Sequence, residues 1–222
     1  MKFKGSVATM WQDTNYKTFT DDLARMLLFS QHQLGPLHYT TSPVSYHELA
    51  RKHIVDTFLG DWVLMLDTDH SFSPDLLIRM LALKKKYKCR VLSAIYQYKH
   101  PPHGPVAGFW REDGKPTPLI DWDRRGDIVD VGTVGAGCLL VDRSVFNEIK
   151  TKLNEDPFAI RLGLSEDYSF CERCKELDIP ISLALQIECH HLVRSPLSIR
   201  DYVAPPSDTK LTTVDKGSIV SC

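Results

Sequence analysis

The chain has 222 residues, 43% of them hydrophobic, enough to bury one substantial core and too few for two large domains. Its 27 basic and 28 acidic side chains nearly cancel, so no global field steers it onto nucleic acid or an anionic membrane. Any phosphate binding must be local. Met1 to Met10 lacks an apolar stretch of signal-peptide length, and no run of about 18 apolar residues occurs anywhere, so the expectation is a soluble, cytoplasmic protein.

In chain order, Ser6 to Met10 reads as a short strand, followed by polar residues and a helix through Leu23, Met26, Leu27 and Phe29. A second extended piece, Leu37 to Thr41, ends at Ser42-Pro43, and Tyr46, Leu49, Ile54, Val55 and Phe58 recur at helical spacing before Gly60. Trp62 to Leu66 is continuously apolar, as a strand covered on both faces must be, and stops at Asp67-Thr68-Asp69-His70. Ser73 as N-cap and Pro74 at the first helical position then open a helix carrying Leu76, Leu77, Met80 and Leu81.

Cys89 to Tyr96 reads as another strand, followed by a loop rich in Pro, His and Gly. Ile128 to Val134 and Cys138 to Val141 read as strands flanking Gly-Ala-Gly, with helices from about Ser144 and about Asp167 and an extended stretch Ile181 to Cys189. This alternation implies an α/β fold, a mainly parallel central sheet flanked by helices, in one catalytic domain over residues 1–195. Residues 196–222 are polar and contain proline, and read as a tail or lid. The six cysteines (89, 138, 171, 174, 189 and 222) lack the density of a disulfide scaffold, and Cys171-x-x-Cys174 has no second pair to make a zinc site.

In an open α/β sheet, ligands bind beyond the carboxyl ends of the strands, where Asp67 and Asp69 fall. Two carboxylates at i and i+2 after a buried strand need a cation or hydrogen-bond donors to compensate them. A divalent metal supplies that compensation, and oxygen ligands with a diphosphate suit Mg²⁺ or Mn²⁺. The alternative is an ordinary acidic turn.

Three further features bear on this choice. Gly132 to Cys138 places Gly135 and Gly137 before an apolar strand, where they permit either close backbone approach to a sugar diphosphate or a tight bend. Ser165-Glu166-Asp167 opens a predicted helix whose amide dipoles hold a carboxylate ionised, as a general base for an acceptor hydroxyl requires. His190-His191 follows the extended stretch, and a neutral imidazole there could complete a metal site with two carboxylates.

Leu-Asp-Thr-Asp with Phe72, Pro74 and Asp75, then Gly-Ala-Gly-Cys-Leu-Leu-Val-Asp-Arg-Ser-Val-Phe, then Ser-Glu-Asp-Tyr-Ser-Phe-Cys, follow one another in an order that resembles GT-A glycosyltransferases related to family 2. The likeness spans roughly Ser6 to Leu192. It implies a Rossmann-like GT-A fold and transfer of a sugar from a nucleotide diphosphate donor, UDP favoured over GDP. It leaves the acceptor open among a carbohydrate, a protein and a modified nucleobase.

By the same resemblance, Asp67, Asp69 and His191 hold Mn²⁺ or Mg²⁺, with His190 the other candidate. Asp167 is first choice for the base and Glu166 second. Arg51 approaches the donor phosphates, and Thr68, Gly135 and Gly137 join the donor site. Thr9, with Met10 and Gln12, takes the place where such enzymes hold the nucleotide base. No Gln-x-x-Arg-Trp signature follows Glu166-Asp167, although Tyr168, Phe170 and Arg173 are present, which disfavours processive polysaccharide synthesis.

Aromatic and hydrogen-bonding residues of the loop Tyr96 to His103 suit sugar recognition. A nucleotidyltransferase would need a basic, glycine-rich loop after the first strand, and Trp11-Gln12-Asp13-Thr14 is not one. A catalytically silent sugar- or nucleotide-binding protein on the same fold is the other alternative.

Overall fold

The computed structural model describes residues 3–10, 16–44, 46–120, 122, 126–193 and 196–197. Gln12 and the tail from residue 198 lie outside them.

The first half alternates as the apolar runs dictate: β1 (Ser6–Met10), α1 (Lys17–Leu34), β2 (His38–Ser42), α2 (His47–Thr57), β3 (Trp62–Leu66), a two-residue β4 (His70–Ser71), α3 (Leu76–Tyr87) and β5 (Val91–Ile95). Next come β6 (Ala107–Trp110), β7 (Pro116–Pro118), β8 (Ile128–Val131), β9 (Thr133–Val134) and β10 (Cys138–Asp142). The chain continues through α4 (Arg143–Lys152), α5 (Glu166–Glu176), β11 (Ile181–Glu188), β12 (His190–Leu192) and β13 (Pro196–Leu197).

The central sheet has seven strands in the order β2-β1-β3-β10-β5-β11-β8. It is mostly parallel, with β10 and β8 running against their neighbours. Alternation along β3 sends Val63 and Met65 to one face, where α2, α4 and α5 cover them with Ile54, Phe146 and Phe170. Leu64 and Leu66 go to the other face, against Phe19 and Met26 of α1 and Leu77 and Met80 of α3. Each such fully buried side chain contributes about 1.5–3 kcal/mol of transfer free energy, so the sheet is anchored on both sides. Among the described residues no helix is long and apolar enough to cross a membrane.

Two local expectations need correction. The stretch Ile128 to Val134 is two strands, not one. At Gly132 the chain leaves the central sheet and joins a small sheet β7-β6-β9. The Gly132 N–H donates to the Gly108 carbonyl at 2.7 Å, and a Cβ at Gly132 would lie 2.8 Å from Trp110, so only glycine lets the bend pack.

The helix after Asp69 begins at Leu76, not at Pro74, because the Ser73 hydroxyl donates to the Asp75 carboxylate at 2.5 Å instead of capping an amide. Residues 73–76 form a turn closed by Leu76 N–H to the Ser73 carbonyl. The five described cysteines are buried and free, and Cys171 and Cys174 pack from α5 into the core.

Candidate functional site

A cavity of about 500 Å³ opens at the carboxyl end of β3. Arg51, Asp67, Gly137, Glu166, Asp167 and His191 all line it, so residues from five separate stretches of the chain meet in one place.

Strand β3 ends by delivering Asp67, whose N–H donates to the Gly137 carbonyl at 2.9 Å. Helix α2 brings Arg51 beneath it. The guanidinium is almost entirely buried, and its Nη2 donates to Asp67 Oδ1 at 2.6 Å. Arg51 Nε and Nη1 have no hydrogen-bond partner. Burial works against the Arg51 charge, but Asp67, Glu166 and Asp167 overcome it and raise its pKa. One buried cation therefore sits among three carboxylates, a net negative setting that favours a further cation over a further anion.

Asp69 faces the other way. Its Oδ2 accepts from the Lys99 ammonium, and its Oδ1 lies 3.1 Å from His70 Nδ1. Burial raises its pKa, but His70 and Lys99 outweigh that and hold the carboxyl well below the usual range.

His70 is buried and neither ring nitrogen has a hydrogen-bond partner. It is brought to His191 by the antiparallel pairing of β12 with β4, whose register sets His191 opposite His70. The ring centroids are 4.2 Å apart. Asp22 fixes β4 from α1, accepting from the Ser71 hydroxyl and the Phe72 N–H.

His191 Nδ1 is bonded to the Gln97 carbonyl, which makes Nδ1 the protonated nitrogen and leaves Nε2 a lone pair. Burial, reinforced by the neighbouring His70, lowers its pKa to about 4, so the ring is neutral near pH 7. Asp69, His70 and His191 offer ligand atoms within 4.8 Å of one another. One carboxylate and two imidazoles, with orphaned nitrogens on His70, fit a divalent ion, and the nitrogen donors fit Mn²⁺ better than Mg²⁺.

Glu166 and Asp167 open α5, with Ser165 at the N-cap. Burial, and then the adjacent Asp167, raise the Glu166 pKa, with Arg51 opposing. Asp167 Oδ1 accepts from the Ser165 hydroxyl and from the Tyr168 N–H at 2.8 Å. Arg173, on the same helix, is buried against Glu155 at 2.6 Å and holds the helix in place from below.

No family model and no curated protein matches the chain. Solved structures do. A197 from STIV is 16% identical with a TM-score of 0.58, over 90% of this chain and 92% of that one. GalNAc-T7, solved with UDP, GalNAc and Mn²⁺, is 12% identical with a TM-score of 0.60, over 86% of this chain and 44% of that one. S. aureus TarS is 14% identical with a TM-score of 0.50, over 84% and 58%. The chain has the GT-A glycosyltransferase fold. It spans about half the length of the last two proteins.

Within the GT-A sheet the predicted residues do not all converge. Asp69 and His191 meet, with His70 as the third member, while Asp67 pairs with Arg51 outside that group. His190 lies 3.6 Å from Glu188 instead. Gly137 lines the cavity and Gly135 does not. The Cβ side of each glycine is filled by protein: Tyr96 lies 2.2 Å from the Gly135 position and His70 2.6 Å from that of Gly137. Thr9 is buried at the end of β1, its hydroxyl 2.9 Å from the Tyr39 hydroxyl, and Thr68 is buried too; neither lines the cavity.

Sequence reasoning passed over His70 and Lys99 as site residues. His70 stands next to the Asp67-Asp69 pair and could have been flagged by adjacency. Lys99 carried no signal beyond its place in the loop after β5.

Proposed function

We propose that the protein is a metal-dependent glycosyltransferase that moves a sugar from a nucleotide diphosphate donor to an acceptor hydroxyl. One observation carries this reading: His191 of an Asp69-His70-His191 cluster, the buried Arg51, and Glu166 and Asp167 at the start of α5 line a single cavity.

Asp69, His70 and His191 would hold the ion, Mn²⁺ in preference to Mg²⁺, and the ion would supply positive charge to the departing diphosphate. Asp67 orients Arg51, whose buried charge would help offset that of the diphosphate once the ion is bound. In an inverting reaction Asp167 takes the acceptor proton; in a retaining one it positions the substrate. Glu166 shares that region, and its raised pKa suits it to hydrogen-bond a hydroxyl. The donor is UDP-linked in preference to GDP-linked, and Thr9, Thr68 and Gly135, which lie off the cavity, stay candidates for its nucleotide end. A relation to family 2 and a catalytic unit over residues 1–195 belong to the same reading.

The test is a thermal-shift screen of UDP-, GDP-, CMP- and dTDP-sugars with and without Mn²⁺. A metal-dependent shift for one nucleotide supports the transferase and names its donor class. No shift for any would overturn it.

A further inference from the structure

Beside the site lies a second cavity of about 290 Å³, at the small end of the range for ligand pockets. Its walls are Pro102, Ala107, Pro116 and Pro118 on the apolar side. It shares Tyr98 and Tyr168 with the first cavity, so these two side chains form a common partition. Their hydroxyls are 2.6 Å apart. Burial raises the Tyr168 pKa, so its hydroxyl is a neutral donor and acceptor at physiological pH.

Thr133, on β9, is fully buried and lines this second cavity, and its Oγ1 has no hydrogen-bond partner. A buried hydroxyl left without a partner costs about 1–3 kcal/mol, a penalty that a ligand reaching it would remove. The cavity thus has apolar walls, one buried, unpartnered hydroxyl in its lining, and a polar partition whose Tyr168 follows Asp167 in the chain.

We propose that this cavity is the acceptor subsite and that it takes an aryl alcohol: an aromatic body between the prolines, one polar group on Thr133 Oγ1, and a second hydroxyl directed past Tyr98 and Tyr168 toward Asp167. The proposal rests on the glycosyltransferase reading for its role in transfer. In that reaction a bond forms from the acceptor oxygen to the anomeric carbon. The anomeric bond to the diphosphate oxygen breaks, and the hydroxyl proton passes to the base. Free sugars are disfavoured here, because proline and alanine walls leave most of their hydroxyls without partners.

The test is titration of the full chain with 4-hydroxybenzyl alcohol, without donor or metal, followed by amide chemical shifts. Saturable shifts are expected at Gly104, Ala107, Thr117 and Thr133, with His47 and Arg51 unmoved. Thr133→Val, which keeps the shape and removes the hydroxyl, should weaken binding about fivefold and raise the melting temperature of the free protein, because the penalty of the unpartnered hydroxyl goes with it. Glucose at the same concentrations should produce no shifts there. Absence of saturable shifts at these residues, an unchanged affinity in Thr133→Val, or equal binding of glucose would each overturn the proposal. Because neither donor nor metal is present, failure here is separate from failure of the donor screen.

Discussion

Arg51 Nη2 and Asp67 Oδ1 are 2.6 Å apart, the guanidinium side chain 1% exposed and the carboxylate 28% exposed. The asymmetry in burial makes the two partners unequal. Removing Asp67 strands a buried charge, whereas removing Arg51 leaves a carboxylate that water can reach. Asp67→Ala is therefore expected to cost about 3 kcal/mol or more, and Arg51→Met distinctly less. Urea unfolding of both variants checks this, and equal losses would contradict it.

Lys99 and any divalent ion compete for the same carboxylate, Asp69. Lys99→Met should tighten Mn²⁺ binding several-fold in calorimetric titration, because the ion no longer displaces an ammonium. Asp69→Ala should abolish that binding with a loss of stability of about 1–3 kcal/mol, since it frees the buried His70 as well as a partly exposed lysine. Mn²⁺ should bind more tightly than Mg²⁺ in the parent, following the two imidazoles.

Gly137 is matched to His70. A Cβ there would sit 2.6 Å from the His70 ring, so Gly137→Ala must push the imidazole out of place and should cost about 1–3 kcal/mol. Combining it with His70→Ala removes the obstacle. The double variant should be more stable than the sum of the two single changes predicts, a coupling measurable in a double-mutant cycle.

Glu166 sets a pH dependence whose sign follows from its raised pKa. Below its ordinary value, folded and unfolded states are both protonated and the residue is neutral to stability. As pH rises from there through the folded value, the unfolded state ionises first and folding loses stability. Glu166→Gln should thus melt higher than the parent at pH 7.5, by about 2–4 °C for each kcal/mol recovered, and the difference should vanish near pH 4.

Asp167→Asn is expected to keep the donor-induced thermal shift and to lower transfer about 10²- to 10⁴-fold. Near-normal turnover would remove Asp167 from the base role and move attention to Glu166.

Much of the architecture was legible because β3 is continuously apolar and the helices around it are amphipathic. The carboxylates at its end were legible for the same reason: a polar pair interrupting a buried run has to be somewhere special. His70 was not, because β4 is two residues long and its register against β12 leaves no periodic trace. The Ser73 cap failed for a local reason, its hydroxyl being drawn to Asp75. The glycines at 135 and 137 were noticed, but sequence could not say that Tyr96 and His70 fill the space they leave. The joint wall of Tyr98 and Tyr168 depends on two hydroxyls that meet across a sequence separation of 70.

The pairing of β12 with β4 also makes the cation site a clasp between two distant parts of the chain. Any ion bound to Asp69, His70 and His191 fastens the late strand to the middle of the molecule, and its binding energy becomes resistance to opening there. Saturating Mn²⁺ should consequently slow proteolysis and amide exchange first around residues 188–192, before the rest of the sheet responds.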